Sequence, residues 1–191
     1  MRLMISNKKT MKNLRVNNPK PSLSIELVNL IYFDIETTGL RPDRGAEIIE
    51  VSILDRNSQL LSWSKEFREQ SDNIYELLPV IIDFFKRGVV VGHNLPFDFW
   101  FISHEANKLG TDGLSLQFID TLSLARKVLP GNNSYRLAEL LKEFDINVSG
   151  ELHTAITDSE ATRALFWKLI EKGGISTVGE AGMKQLNWSN F

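Results

Sequence analysis

The apolar run Leu30–Phe33 leads directly into Asp34-Ile35-Glu36 and leaves few ways to fold this part of the chain. The run is too short for a core helix and rich in β-branched and aromatic residues, so it predicts a buried strand. Because side chains alternate along a strand, Asp34 and Glu36 share one face. Two such carboxylates repel each other unless a hard cation such as Mg²⁺ or Mn²⁺ lies between them, or unless the strand ends here and both reach water.

The rest of the chain alternates between strand and helix patterns. Strands are predicted at about 47–54, 60–67, 89–91 and 116–119. Helices are predicted at about 74–85, 96–109 and 158–172, with two more between residues 119 and 145. Pro79 either starts the first of these helices or kinks it. Thr157-x-x-Glu160 indicates a capping box at the start of the last one. Three strands followed by alternating helices and strands indicate an α/β domain with helices against a central sheet.

Charge and turn residues divide the chain into three parts. Residues 1–25 hold six basic and no acidic residues, which leaves 16 basic residues against all 24 acidic ones elsewhere. We interpret 1–25 as a basic, flexible tail, with a nucleic-acid-binding arm and an organelle transit peptide as alternatives. The ordered domain is expected over 26–174. The last part, 175–191, has weak periodicity and is expected to wrap the surface or fray.

Composition excludes several classes of protein. The chain contains no cysteine, which excludes disulfides, cysteine nucleophiles and cysteine-ligated zinc. It has no apolar run long enough to span a membrane, and its N-terminus lacks the apolar core of a secretory signal. The cytoplasm is therefore the expected location.

A second acidic position follows the predicted strand at 89–91. Asp98 falls in the first turn of the next helix, where the helix dipole alone favours an acid. Four aromatic residues surround it in sequence: Phe97, Phe99, Trp100 and Phe101. This apolar setting weakens the purely structural explanation for Asp98 without removing it.

The third candidate is Asp158, which opens the last helix, with His153 five residues earlier in the preceding loop. The helix dipole again gives Asp158 a purely structural explanation. A histidine with a pKa near neutrality is a candidate general base only where a neighbouring group needs to be deprotonated.

Taken together, these motifs resemble the DEDDh 3′–5′ exonucleases, the group that includes the epsilon proofreading subunit of bacterial DNA polymerase III. The shared motifs are Asp34-x-Glu36-Thr37-Thr38-Gly39, then His93-Asn94-x-x-Phe97-Asp98, and His153 with four residues before Asp158. The last spacing is similar to the histidine branch of the group. The resemblance implies a ribonuclease H-like fold, with a mixed five-stranded sheet flanked by helices and an antiparallel second strand.

The resemblance also implies a two-metal mechanism with Mg²⁺ or Mn²⁺. It assigns Asp34 to both ions, Glu36 and Asp158 to one, and Asp98 to the other, partly through water. His153 is the implied general base, and nucleoside 5′-monophosphates are the implied products. The implied substrate-binding residues are Thr37, Thr38, Leu40 and Asn94.

Several alternatives stay open. The implied substrate is the 3′ end of single-stranded or frayed DNA, but Leu60–Gly88 lacks the Gly-Ile-Thr-like turn of many proofreading relatives, so an RNA-trimming exoribonuclease fits as well. An inactive nucleic-acid-binding or scaffolding module is a further alternative. A DNA polymerase is one candidate partner. A sliding clamp is another, because Gln185-Leu186-Asn187-Trp188 faintly resembles the short peptides that dock on clamps.

Overall fold

The computed structural model describes residues 17–67, 73–110, 115–150 and 152–187. The strands are β1 (Leu30–Thr37), β2 (Ile48–Leu54), β3 (Gln59–Ser64), β4 (Val89–Gly92), β5 (Ser115–Asp120) and β6 (Lys184–Asn187). The α-helices are α1 (Ile74–Phe85), α2 (Leu95–Lys108), α3 (Thr121–Val128), α4 (Leu137–Glu143) and α5 (Ala155–Lys172). Short 3-10 helices lie at Ile25–Leu27, Pro42–Arg44 and Lys65–Phe67.

The strands form one mixed sheet in the order β3-β2-β1-β4-β5-β6. β1, β4 and β5 are parallel, whereas β2 is antiparallel to both β1 and β3. The predicted α/β class and the antiparallel second strand are confirmed. The predicted count of five strands is wrong, because Lys184–Asn187 adds a sixth strand antiparallel to β5. Since only Leu186 of this short strand packs against the core, the segment shows no alternation of apolar residues in the sequence.

The two faces of the sheet bury separate cores, and β1 contributes alternate residues to each. Ile31, Phe33 and Ile35 pack with residues of α1 and α2, where Phe33 meets Phe85 edge-on at 4.8 Å between ring centroids. Leu30 and Tyr32 pack with residues of α3, α4 and α5. By the same alternation Asp34 and Glu36 lie on the α5 face.

Helix α5 begins three residues earlier than predicted. Thr154, rather than Thr157, is its N-cap residue, and the Thr154 hydroxyl accepts the N–H of Thr157 at 3.4 Å. Asp158 is therefore the fourth residue of the helix rather than its first. The Thr157-x-x-Glu160 pattern is a false capping signal, because a threonine three residues upstream takes that role.

Pro79 lies inside α1 instead of starting it. The helix begins at Ile74, after Asn73, whose side chain accepts the N–H groups of Tyr75 and Glu76. Pro79 itself is exposed to solvent.

Residues 17–25, assigned to the basic tail on sequence grounds, contact the domain. The N–H of Ile25 donates to the carbonyl of Ser176 at 2.9 Å, and the side chain of Gln117 donates to the carbonyl of Pro19 at 3.1 Å. Ile25 is buried in the core on the α5 side of the sheet. Residues 1–16, which hold five of the six basic residues in 1–25, lie outside the described residues. Among the helices that are described, none is both long and apolar enough to cross a membrane.

Gly92 joins β4 to α2 at a close approach of the backbone, and replacing it with alanine is expected to destabilise the protein. An added Cβ would lie 2.4 Å from Leu95 Cδ2 and 2.9 Å from the carbonyl oxygen of Phe33. Relieving such overpacking typically costs about 1–3 kcal/mol of the free energy of unfolding. The check is chemical denaturation of Gly92→Ala beside Gly39→Ala, whose Cβ would be an ordinary 3.4 Å from Ala46. Equal stabilities of the two variants would contradict the packing argument.

Candidate active site

Three of the predicted carboxylates meet where β1 faces the first turn of α5. Asp34, Glu36 and Asp158 each place one carboxylate oxygen within 4.8 Å of the corresponding oxygens of the other two. All three side chains are half-buried. Because hard divalent cations prefer carboxylate oxygens, this donor set fits Mg²⁺ or Mn²⁺.

Asp98 lies beside this group without belonging to it. Its Oδ1 accepts the N–H of Ile35 at 3.2 Å, and the residue is only 5% exposed. The parallel ladder between β1 and β4 ends at Tyr32 and Val91, so Ile35 lies beyond that ladder. Asp98 thereby ties the start of α2 to the segment of β1 that carries Asp34 and Glu36.

Burial raises the pKa of all four carboxyl groups, and repulsion by neighbouring acids raises it further for Asp34, Glu36 and Asp98. For Asp34 and Asp98 burial is the largest cause and holds the pKa well above its usual value; the charges of Asp98 and then Asp158 add to the effect on Asp34. Burial and then the charge of Asp158 raise the pKa of Glu36, and burial raises that of Asp158. A cation among these groups would favour their ionised forms, so the electrostatics also fit a metal site.

His153 lies at the mouth of this cluster in an uncommon backbone conformation. Its φ of 76° falls in the left-handed region, which costs a non-glycine residue about 1–3 kcal/mol. The N–H of His153 donates to Asp158 Oδ1 at 3.3 Å, and its charge lowers the pKa of both Glu36 and Asp158. The side chain is exposed, so the imidazole is accessible to water beside the acids.

Glu50 is a fifth acid at the site that the sequence analysis did not identify. It lies on β2 directly opposite Glu36, and its charge raises the pKa of both Asp34 and Glu36. The strand alternation that places Asp34 and Glu36 on one face, applied to β2 in register, would have found it.

The predicted substrate segment after β1 is partly fixed by its own hydrogen bonds. The Thr37 hydroxyl donates to the carbonyl of Gly39 at 2.7 Å. The Thr38 N–H donates to the carbonyl of Glu47 at 2.9 Å, and the Thr38 hydroxyl accepts the Glu47 N–H at 2.9 Å. The amide of Thr38 is therefore already bonded within the protein. Leu40 is 77% exposed, which leaves a large apolar side chain free to pack against a ligand.

Asn94 occupies the turn between β4 and α2, and Asp120 holds this turn. Asn94 has a φ of 70° and an exposed side chain, and its N–H donates to Asp120 Oδ1 at 2.8 Å. The other oxygen of Asp120 accepts the N–H and the hydroxyl of Ser123 at the start of α3. Asp120 therefore fixes the helix that carries Asp98.

His93, in the same turn, is held by groups on both sides. Its Nδ1 lies 2.9 Å from Thr121 Oγ1, and its Nε2 lies 3.0 Å from the carbonyl oxygen of Tyr135. Burial lowers the pKa of His93, which favours the neutral ring. We assign His93 to the support of the turn rather than to the carboxylate cluster.

A cavity of about 420 Å³ lies on the other side of α5 and contains none of the predicted site residues. Its lining consists of Arg56, Asn147, Val148, Ser149, Glu160, Arg163, Ala164 and Trp167. The Arg56 guanidinium stacks on the Trp167 ring at 4.2 Å, and Arg163 Nη1 donates to the carbonyl of Asp55. This cavity is distinct from the carboxylate cluster.

Comparison with known proteins relates the chain to nucleases. The model of the RNase_T family, described as exonuclease, matches residues 52–166, more than half of the chain. The matched stretch contains Asp98, His153 and Asp158 and begins after Asp34 and Glu36.

Curated relatives cover most of this chain. The DNA polymerase III epsilon subunit of Rickettsia conorii is 27% identical over 168 residues, 73% of this chain and 73% of the relative. The PolC-type DNA polymerase III of Caldanaerobacter subterraneus subsp. tengcongensis is 29% identical over 179 residues, 82% of this chain. The alignment spans only 12% of the PolC-type relative's length.

A solved structure shares the fold. Exonuclease X in complex with 5′ overhanging duplex DNA superposes with a TM-score of 0.57 at 20% sequence identity, covering 80% of this chain and 98% of that one.

Proposed function

The chain belongs to the RNase_T exonuclease family, and on that premise we propose that it is a metal-dependent 3′–5′ exonuclease acting on single-stranded or frayed DNA. The observation that carries the proposal is the convergence of Asp34, Glu36 and Asp158, with Asp98 beside them and His153 at the mouth. The epsilon subunit and PolC-type polymerases among the relatives favour DNA as the substrate.

The carboxylates are the proposed ligands of two divalent cations, Mg²⁺ or Mn²⁺. Asp34 is central in this assignment, since the charges of Asp98 and Asp158 both act on it. Glu36 and Asp158 would complete one set of ligands, and Asp98 would serve the second. Bound divalent cations polarise a phosphate and lower the pKa of water.

His153 is the proposed general base. Its exposed ring lies beside the acids, and its N–H bonds to Asp158, so the imidazole is placed to accept the proton of the attacking water. The water oxygen bonds to phosphorus, and the bond from phosphorus to the 3′ oxygen of the preceding nucleotide breaks. That oxygen leaves with the bonding electron pair and takes a proton from solvent to become a hydroxyl. The product is a nucleoside 5′-monophosphate.

The substrate's last nucleotide would lie against the segment after β1. Leu40 offers its exposed side chain to the base, and Thr37, Thr38 and Asn94 remain proposed contacts. Because the Thr38 amide is bonded to Glu47, we assign any contact of Thr38 to other atoms of that residue.

A DNA polymerase is the proposed partner, on the names of the relatives alone. A sliding clamp has less support. The Gln185 side chain donates to Ser115 Oγ, and Leu186 packs against the core, so both residues are already used in β6. Trp188 lies outside the described residues. The cytoplasm remains the proposed location, with which the cysteine-free sequence is compatible.

The proposal is tested by the direction and products of digestion. Single-stranded DNA labelled at its 5′ end should be shortened stepwise in Mg²⁺, and label at the 3′ terminus should appear at once as mononucleotide. A strand with a blocked 3′ end should persist. Internal cleavage, or shortening from the 5′ end, would contradict the proposed direction.

The alternative substrate is RNA, and the same assay separates the two. Matched DNA and RNA strands of one sequence are digested side by side, together with dinucleotides. A higher kcat/KM on DNA supports the proposal, whereas a preference for RNA or for dinucleotides would assign the chain to RNA trimming. Absence of hydrolysis, with retained affinity for strands, would favour a binding module.

A further inference from the structure

Glu50 is placed at the site by the pairing of two strands. It lies opposite Glu36 on β2, and β2 is held on its other side by β3, where Ser64 is the partner of Glu50. Directly opposed residues of an antiparallel pair share a face. The half-buried carboxylate therefore lies on the α5 side of the sheet, as do Asp34 and Glu36.

The carboxylate of Glu50 bonds to the first residue of α5. Its Oε2 accepts the N–H of Ala155 at 2.8 Å, across 105 positions of sequence. The first N–H groups of any helix lack partners within it. Thr154 accepts the N–H of Thr157 and, through its carbonyl, that of Asp158. Glu50 therefore accepts the N–H of Ala155, whereas Thr154 accepts those of Thr157 and Asp158.

The hydrogen bond from Ala155 explains how Glu36 and Glu50 can lie directly opposite each other on β1 and β2. Like charges opposed on neighbouring strands destabilise a sheet. The N-terminus of α5 carries partial positive charge and a free donor, which offset the charge of Glu50. Glu36 is then left to face Asp34 and Asp158.

We infer that Glu50 is a positioning residue: by holding the start of α5 against β2, it sets where Asp158 and His153 stand relative to Asp34 and Glu36. Asp158 lies three residues beyond Ala155, and His153 lies two residues before it, so both move with the start of the helix. Glu50 acts through Ala155 and is not itself assigned as a metal ligand. The inference rests on the proposed function for its catalytic readout.

Two variants remove the contact from opposite sides. Glu50→Ala removes the acceptor. Ala155→Pro removes the donor and leaves the Glu50 charge in place, and proline is well tolerated at the first position of a helix. Thr154 has φ −122° and ψ 138°, a conformation that also accepts a following proline.

The readouts are the Mn²⁺ affinity, taken from the metal-dependent rise of the unfolding temperature, and kcat and KM on single-stranded DNA. Residues that orient metal ligands typically contribute roughly 10- to 100-fold in metal affinity or activity. We expect both variants to lose on the order of 10-fold in Mn²⁺ affinity and in kcat, with little change in KM. Glu50→Gln, whose amide oxygen can accept the same N–H, should restore most of the loss.

Asn73→Ala is the matched control, because Asn73 caps α1, a helix without site residues. It should lower the unfolding temperature and leave Mn²⁺ affinity and kcat unchanged. Wild-type affinity and kcat in Glu50→Ala or Ala155→Pro would overturn the inference. A Glu50→Gln variant as weak as Glu50→Ala would overturn it too, since charge rather than the hydrogen bond would then matter. A wild-type protein without Mn²⁺-dependent stabilisation or hydrolysis would instead refute the proposed function.

Discussion

Replacing Asp34 with asparagine is expected to lower the rate of 3′-end hydrolysis by roughly 10³-fold or more, the equivalent of several kcal/mol of lost transition-state stabilisation. Asp34 is the acid on which the charges of the other acids converge. Removing its charge should weaken both proposed metal sites at once.

The same variant should be no less stable than the wild type when metal is absent. The raised pKa of Asp34 shows that burial and repulsion oppose its ionisation in the folded protein. Its neutral replacement relieves that opposition. Thermal unfolding with and without Mn²⁺ should therefore show an equal or higher unfolding temperature without metal, together with loss of the metal-induced rise.

Asp83→Asn serves as the matched control, because Asp83 is an exposed acid of α1 paired with Arg87. It should keep the wild-type rate and the wild-type response to Mn²⁺. Substantial 3′-end hydrolysis by Asp34→Asn would contradict the assignment of Asp34 to the metal site.

Replacing His153 with asparagine is expected to lower kcat by about 10²- to 10⁴-fold, the usual contribution of a general base. Asparagine tolerates the left-handed backbone at position 153 better than most residues, so the loop should keep its shape. KM and the Mn²⁺-induced rise of the unfolding temperature should change little, since the ring is not assigned as a ligand.

Steady-state kinetics and Mn²⁺ titration of His153→Asn check this separation of roles. His104→Asn, on α2, is the control that removes an imidazole from elsewhere and should behave as the wild type. If His153→Asn kept full turnover, or lost metal response and turnover together, His153 would not be the base.

Much of the fold was predictable because its elements have strong periodic patterns. The apolar stripe of α1 and the short β-rich runs of β1 and β4 are such patterns. β6 was not predictable, since a single residue of it, Leu186, packs against the core. The start of α5 was misplaced because Thr154 and Thr157 offer competing caps, and only the hydrogen bond to Thr157 distinguishes them.

The site residues also differ in how far a local sequence pattern predicts them. Strand alternation placed Asp34 and Glu36 on one face, where a cation would offset their repulsion, whereas Asp98 and Asp158 each had a structural explanation in the helix dipole. Their joint spacing identified them through family resemblance. Glu50 was missed because its importance comes from the register of β2 against β1 and from its bond to Ala155. Both are contacts between distant segments, which a local pattern does not encode.

The central claim is that Asp34, Glu36, Asp98 and Asp158 together hold the divalent cations used for hydrolysis. It is tested most directly by counting Mn²⁺ bound per chain by electron paramagnetic resonance, in the presence of a nucleoside 5′-monophosphate. We expect two ions per wild-type chain and loss of this binding in Asp34→Asn. A wild-type chain that binds no Mn²⁺, or an Asp34→Asn variant that binds it as the wild type does, would contradict the assignment of these four acids as metal ligands.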